Sequence, residues 1–201
     1  MNHQNQYDVI IIGAGPGGIF TAYELSRLRP ELRIAVFEAG NPLERRKCPI
    51  DGVKVTSCMG CEYIGKKQAI DLMKYVDEIN LSHGGQGTAL YSTANSHIKK
   101  MCLQNGLHLL DASVRHLGTD INYIVLKNLY EELSAKVEFH FNAPVEEVRK
   151  TEEGFAIVSR GQVFTGAQCV ISAGRSGSKW METVCRDLQI PTRSNRVDIG
   201  V

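Results

Sequence analysis

Val9-Ile10-Ile11-Ile12-Gly13-Ala14-Gly15-Pro16-Gly17-Gly18-Ile19-Phe20-Thr21-Ala22 (VIIIGAGPGGIFTA) decides how the rest of the chain is read. An apolar run stops at glycines, and an apolar-periodic segment follows. Asp8 to Ile12 reads as a strand buried on both faces. Pro16 to Leu28 reads as a helix, with Ile19, Ala22, Leu25 and Leu28 close to one face. Arg33 to Glu38 (RIAVFE) is a second buried strand. Strand, helix and strand within about thirty residues make a βαβ unit, which implies a parallel pair with a right-handed crossover.

The turn has the spacing Gly13-x-Gly15-x-x-Gly18. Gly13 permits the tight exit from the strand, Gly15 lets a pyrophosphate approach the backbone, and Gly18 lets helix pack on strand. Ala14, Pro16 and Gly17 complete the turn, and the helix N-terminus presents free N–H groups and partial positive charge to phosphates. Glu38 follows twenty residues after Gly18, at a strand end, where its carboxylate can accept from a ribose hydroxyl. The plainer alternatives are a glycine-rich turn with no ligand and an ordinary charged strand end. A carboxylate at Glu38 repels the extra phosphate of NADP, which leaves NAD and FAD.

The chain has 201 residues, 43% hydrophobic and 22% charged, with a net charge of +1. Such a length suits one α/β domain or one domain with an insertion. The charge supplies no overall field for nucleic acid or a membrane surface. Met1 to Tyr7 is polar and no apolar stretch has the length of a membrane span, so neither a secretory signal nor a transmembrane segment is read. Cys48, Cys58, Cys61, Cys102, Cys169 and Cys185 are accordingly expected as reduced thiols of a cytoplasmic protein. The last residues, Val197 to Val201, read as the start of a strand or turn, the expectation being that the chain is part of a longer protein.

Ala39 to Gly65 has no clear period and reads as a long loop of the kind that is functional or mobile. Lys66 to Leu81 is helical, and Gly84-Gly85 can end it. The glycine-rich turn HGGQGTAL follows, then a helical piece near Ser96 to Gln104. Thr119 to Ala135 is a further helix, and Val137 to Phe141 alternates like a strand. Val145 to Arg149, Phe155 to Arg160 and Gln162 to Phe164 read as short antiparallel strands, with turns at Glu153-Gly154 and Arg160-Gly161. Gln168 to Ser172 is again a buried strand, and Ser178 to Leu188 a helix.

The meander leading into an apolar strand that ends Ile171-Ser172-Ala173-Gly174 separates FAD from NAD. With DVIIIGAGPGG at Asp8 to Gly18, FE at Phe37-Glu38, NAPVEEV at Asn142 to Val148 and VFTGAQCVISAGRSG at Val163 to Gly177, the chain resembles the glutathione-reductase-like FAD proteins with two dinucleotide-binding domains. That resemblance implies that the backbone at Val145 holds the adenine and that the Ala173-Gly174 turn passes close to the flavin nucleotide. The usual Ala-Thr-Gly of that turn reads Ser172-Ala173-Gly174 here. Glu44 to Pro49 (ERRKCP), Cys58 to Cys61 (CMGC), His108 to Asp120 (HLLDASVRHLGTD) and Arg193 to Val201 also look like the uncharacterised bacterial FAD-dependent, or NAD/FAD-utilising, dehydrogenases. Against that narrower pattern the chain looks shortened after Cys61 and truncated at its C-terminus.

Other groups carry less. Cys48, Cys58 and Cys61 read as structural thiols, with redox exchange or half a metal site as alternatives. Arg45 and Arg46 could pair with FAD phosphates or an acidic substrate, or belong to a solvated loop. Ser176 reads as an N-cap, and Arg175 as a phosphate or flavin contact. Arg115-His116 could offer a proton donor near a flavin, though a lone His is more often structural or exposed. Trp180 and Tyr91 read as packing residues. No Ser–His–Asp, HExxH or P-loop pattern occurs.

The expected architecture is α/β: a parallel Rossmann-type FAD/NAD(P)-binding sheet, an antiparallel β-meander crossing over it, and a helical segment inserted at about 66–135, all within one domain, 1–201. The candidate cofactor-binding residues are Gly13, Ala14, Gly15, Pro16, Gly17, Gly18, Glu38, Ala39, Arg46, Val145, Ala173, Gly174 and Arg175. No catalytic residue and no metal ligand is assigned. The expected activity is that of a flavin-dependent dehydrogenase, or its FAD-binding part, acting on a small molecule. An NAD-binding domain and a truncated nucleotide-binding module without activity are the alternatives.

Overall fold

The computed structural model describes residues 5–45, 66–109 and 113–193, without the side chains of 66–70. The chain divides into two compact units, 1–46 with 130–201 and 47–129.

The first unit opens with β1 (Gln6–Ile12), α1 (Pro16–Leu28) and β2 (Ile34–Phe37), the βαβ unit that the glycine turn predicts. β1 and β2 are parallel, with Ile10 opposite Ala35 and Ile12 opposite Phe37. All four residues of β2 are buried, which is why the strand shows no alternation of apolar and polar residues. The inserted segment holds α2 (Lys66–Asn80), β3 (Leu90–Ser92), α3 (His97–Gln104), β4 (Ser113–Arg115) and α4 (Gly118–Ser134), the last continuing into the first unit. β5 (Val137–His140), β6 (Val145–Thr151), β7 (Gly154–Ser159), β8 (Gln162–Ile171) and α5 (Ser178–Asp187) follow.

One six-stranded sheet runs β5-β2-β1-β8-β7-β6. Two expectations change here. The meander β6-β7-β8 lies within this sheet and does not cross over it. The stretches expected as two strands, 162–164 and 168–172, are one strand, β8, which ends at Ile171; its Phe164 pairs antiparallel with Ile157 while its Cys169 pairs parallel with Ile10. The β7–β8 turn is as expected: Arg160 (φ 50) and Gly161 (φ 72) both take positive φ, as a two-residue hairpin loop with the twist of its strands requires.

Helices cover both faces of the sheet. Ile11, Val36 and Phe139 share one face by register; there Tyr130 of α4 meets Phe139 edge-on at 5.0 Å between ring centres. Ile10, Ile12, Ala35 and Phe37 share the other face and form a cluster with Val148, Ile157, Phe164 and Val184 of α5, against which Trp180 and Leu188 pack. Phe37 stacks on His140 at 4.4 Å and meets Phe164 edge-on at 4.8 Å. Each Val, Leu, Ile or Phe side chain among them contributes about 1.5–3 kcal/mol on full burial.

In the second unit α2 ends at Asn80 and passes into a π-turn, Leu81–Gly85, where Gly84 takes φ 115. The expected glycine stop is therefore present, stretched over one wide turn. Buried His83 is held through its Nδ1 and the Ile79 carbonyl oxygen, 2.6 Å apart, and the Asn128 side chain donates to the His83 carbonyl at 2.7 Å. β3 and β4, for which no strand was expected, pair antiparallel. Arg115 of β4 forks onto the Asp77 carboxylate of α2, with Nε to Oδ1 at 2.8 Å and Nη2 to Oδ2 at 3.1 Å. Among the described residues no helix is long and apolar enough to cross a membrane.

Buried Tyr7 sits 3.4 Å through its hydroxyl from His140 Nε2. Burial, then hydrogen bonding to the Glu138 carboxylate, pushes its phenol up to about 12 from 10.0. The folded chain thus keeps a proton that the unfolded chain releases near pH 10. Stability from this group is full below pH 10 and is lost as pH rises toward about 12. Denaturant unfolding measured across this window will show a decline that Tyr7→Phe reduces; an equal slope in both proteins contradicts the assignment.

Candidate functional site

The C-terminal ends of β1, β2 and β8 meet at the glycine turn. The Gly13 N–H donates to the Phe37 carbonyl and the Ser172 N–H to the Ile12 carbonyl, both at 2.7 Å. These bonds carry the β1 pairings past the strand ends and bring the 13–18 turn, the 38–40 segment and the 172–174 turn together.

The glycines of the turn serve different needs. Gly13 takes φ +104, and a Cβ there would lie 2.3 Å from the Ser172 carbonyl oxygen. A Cβ at Gly18 would lie 1.8 Å from the Gly13 carbonyl oxygen, and at Gly17 2.4 Å from Ser172 Oγ. These three are glycine because the chain itself fills the space. Gly15 is different. Its φ of −76° and ψ of −176° suit any residue, and a Cβ there would meet nothing within 4 Å. Neither backbone nor packing within the described chain calls for glycine at 15.

Glu38 follows β2, with its N–H donating to the His140 carbonyl at 2.8 Å. Its carboxylate accepts from the Ala14 N–H through Oε2 and from the Gly40 N–H through Oε1, each at 2.7 Å. The side chain therefore bridges the glycine turn and its own loop, of which Ala39 is the middle residue. Asn142 N–H donates to Gly40 O, and Ala143 N–H to Glu38 O, both at 2.9 Å. These bonds hold the segment leading to Val145, buried at the start of β6, beside the Glu38 loop.

Ala173 and Gly174 form the turn after β8. Gly174 has φ 65 and ψ −168, a conformation essentially restricted to glycine, and its Cβ position is open. Arg175 is exposed at the start of the 3₁₀ turn Arg175–Gly177. Ser176 lies inside this turn and is not the cap expected for the following helix. Gly177 occupies that position, with no side-chain cap. Pro16 opens α1 behind Gly15, which also supplies no side-chain cap, so the first-turn N–H groups are left for a ligand.

The remaining candidates fall elsewhere. Arg46, Cys48, Cys58 and Cys61 lie outside the described residues, and Arg45 is exposed on the 3₁₀ turn Leu43–Arg45. Arg115 is engaged by Asp77. Trp180 packs on the core, but Tyr91 is 64% exposed and is no packing residue. Cys102, Cys169 and Cys185 are free thiols; burial pushes Cys169 up to about 11, which suppresses its nucleophilic thiolate. Among the described residues no group of three or more His, Cys, Asp or Glu could hold a metal ion. Sequence reasoning missed Ser172 and Gly40. Only their positions, directly after β8 and two residues after Glu38, could have signalled them.

No family model matches the chain. Dihydrolipoyl dehydrogenase of Cupriavidus necator is 27% identical over 171 residues, 84% of this chain and 32% of that protein. The chain thus spans about a third of the length of this curated relative. Glycine oxidase from Geobacillus kaustophilus superposes with a TM-score of 0.55 at 17% identity, covering 92% of this chain and 59% of the oxidase. NikD, an amino acid oxidase essential for nikkomycin biosynthesis, gives 0.56 at 13% identity, covering 91% and 54%. The halogenase PltM, a mutant of which is solved in complex with FAD, gives 0.50 at 19% identity, covering 88% and 36%. What these structures share with the chain is the fold.

The glycines predict opposite outcomes for similar substitutions. Gly18→Ala forces a carbon into the Gly13 carbonyl and will cost about 1–3 kcal/mol or more, measured by denaturant unfolding. Gly15→Val will unfold at the wild-type midpoint yet lose dinucleotide binding in calorimetry; unchanged affinity excludes the site.

Proposed function

We propose that this chain is the FAD-binding part of a flavin-dependent oxidoreductase. On this reading residues 1–201 form one nucleotide-binding domain with a helical insertion at about 66–135. The carrying observation is Gly15, a glycine with open space at its Cβ position and an ordinary backbone conformation. A close-approaching pyrophosphate gives that position its reason.

The residues present fit the ADP half of the cofactor. The turn Gly13-Ala14-Gly15-Pro16-Gly17-Gly18 would hold the pyrophosphate at the N-terminus of α1. Glu38 already accepts two backbone N–H groups, and a carboxylate has about four lone-pair sites. Capacity remains for ribose hydroxyls, with Ala39 at the same edge. The Val145 backbone would hold the adenine. Ala173, Gly174, Arg175 and Arg46 would line the flavin and phosphate side.

Bound FAD would supply the capacity to accept a hydride or electrons. The chain's own part is to orient the cofactor and to place backbone dipoles and one carboxylate around it. FAD is favoured over NAD by the meander joined through β8 to the parallel sheet and by the fold shared with a halogenase solved with FAD. The substrate or electron donor would be a small molecule, with NAD as the alternative dinucleotide or as co-substrate. The reading includes a cytoplasmic protein that binds neither nucleic acid nor membrane, the latter in keeping with the net charge of +1.

The purified chain will carry a yellow chromophore with absorbance near about 450 nm, released on denaturation as FAD. A colourless chain that takes up NAD overturns FAD in favour of NAD. A chain that binds neither overturns the dinucleotide site.

A further inference from the structure

A six-stranded sheet has two outer edges, and here both are guarded. β5 is four residues long and exposes Glu138. β6 exposes Glu146, Arg149 and Lys150 and is bulged between Val145 and Glu147. Short length, charge and bulges keep an edge from pairing with another chain. A third edge lies inside the sheet and has none of these. β7 pairs with β8 only from Gln162 to Gly166, whereas β1 continues beside β8 to Ile171. Among the described residues no strand lies beside 167–171 on the side away from β1. Val9, Ile10, Ile11 and Ile12 of β1 are all buried, but Ala167 and Gln168 are exposed and Cys169, Val170 and Ile171 only half-buried.

The direction of the backbone follows from one bond. The Ser172 N–H donates to the Ile12 carbonyl, and successive residues of a strand turn their N–H and C=O groups to opposite sides. Val170 therefore faces β1 with Ser172, while Cys169 and Ile171 turn their N–H and C=O groups to the open side. The stretch Ala-Gln-Cys-Val-Ile carries no charge and no proline. Its two ends are oppositely charged. At its start lies the β6–β7 turn, where exposed Glu152 and Glu153 line one hollow with Gly166 and Ala167. At its end the chain turns through Ala173 and Gly174 toward exposed Arg175 and Lys179. At about 3.3 Å per residue, about 17 Å separates the two ends. A parallel copy would set carboxylate on carboxylate. An antiparallel copy sets Glu152 and Glu153 of each chain against Arg175 and Lys179 of the other, twice over by two-fold symmetry.

We infer that the open edge of β8, residues 167–171, is an interface between two copies of this chain. The copies pair antiparallel about a two-fold axis, so that the outward backbone groups of Cys169 and Ile171 meet those of the other chain. Pairing of this kind needs no bound nucleotide. A five-residue strand pair is smaller than the about 800 Å² per partner of a standard interface, so association is expected in the micromolar range.

The test is sedimentation velocity on the nucleotide-free chain from about 1 µM to 1 mM, beside the double variant Glu152→Lys, Glu153→Lys and the single variant Cys169→Pro. Both glutamates are exposed turn residues. Proline at 169 removes an N–H that faces away from β1, so it blocks an added strand and leaves the β1–β8 ladder in place. The wild-type chain is expected to form a dimer as concentration rises. The double charge reversal is expected to weaken that dimer about tenfold, and Cys169→Pro to stay monomeric. Where Cys169→Pro does not fold, the charge reversal decides alone. A wild-type chain that is monomeric throughout overturns the inference; slow amide exchange at Cys169 and Ile171 in that monomer assigns the edge to a segment of the same chain. A dimer that keeps its affinity through the charge reversal overturns it as well, because it then forms at another surface.

Discussion

The site depends on a lack of room for a single carbon atom. At Gly18 that carbon would collide with the carbonyl of Gly13, and at Gly13 with the carbonyl of Ser172. The first contact sets how closely α1 leans back on the turn it leaves. The second sets how closely the end of β8 approaches the same turn. Three segments far apart in sequence are thereby brought to one place, and the hydrogen bonds from Gly13 to Phe37 and from Ser172 to Ile12 give the packing its direction. Hydrophobic burial on both faces supplies the drive, but burial is non-directional. The close backbone contacts decide where the strand ends lie.

Glu38 extends this logic to the edge of the turn. Its carboxylate spans from Ala14 to Gly40 and satisfies two amides that would otherwise need water. Hydrogen bonds within the chain thus hold the turn in shape. A site already ordered gives up less freedom on binding. The residue that the spacing marks as a ribose acceptor is also part of the scaffold.

Much of this was legible in the sequence, for identifiable reasons. β1 and β2 are buried on both faces, so their apolar runs are unbroken, and Gly13, Gly15 and Gly18 stand where strand gives way to helix. The meander announces its turns through Gly154 and Gly161, both at positive φ. The continuity of β8 was hidden by Thr165-Gly166-Ala167, which interrupts the apolar pattern where the strand changes partners. Gly166 belongs there because the Ile10 side chain lies 3.0 Å from its Cβ position. β3 and β4 left no trace, since Leu90, Tyr91 and Val114 are all exposed and short exposed strands carry no burial pattern. The bond from Ala14 to Glu38 was equally hidden. Spacing tells that a carboxylate is near the turn, not which amide it chooses. Ser176 has a good capping side chain, but the extra 3₁₀ turn moves the helix start past it.

The change of partners within β8 has a consequence for chain length. Its first half is held by a neighbour in sequence, while its second half ties the beginning of the chain to its end. The segment between β2 and β5 is thus a closed loop whose ends are fixed by the sheet. The entropy of closing such a loop grows only with the logarithm of its length, about 0.6 kcal/mol for each doubling. The turns at 13–18, 38–40 and 172–174 could therefore stay in place while the intervening segment lengthens, shortens or is exchanged. One sheet of this kind can carry insertions of very different size at little thermodynamic cost.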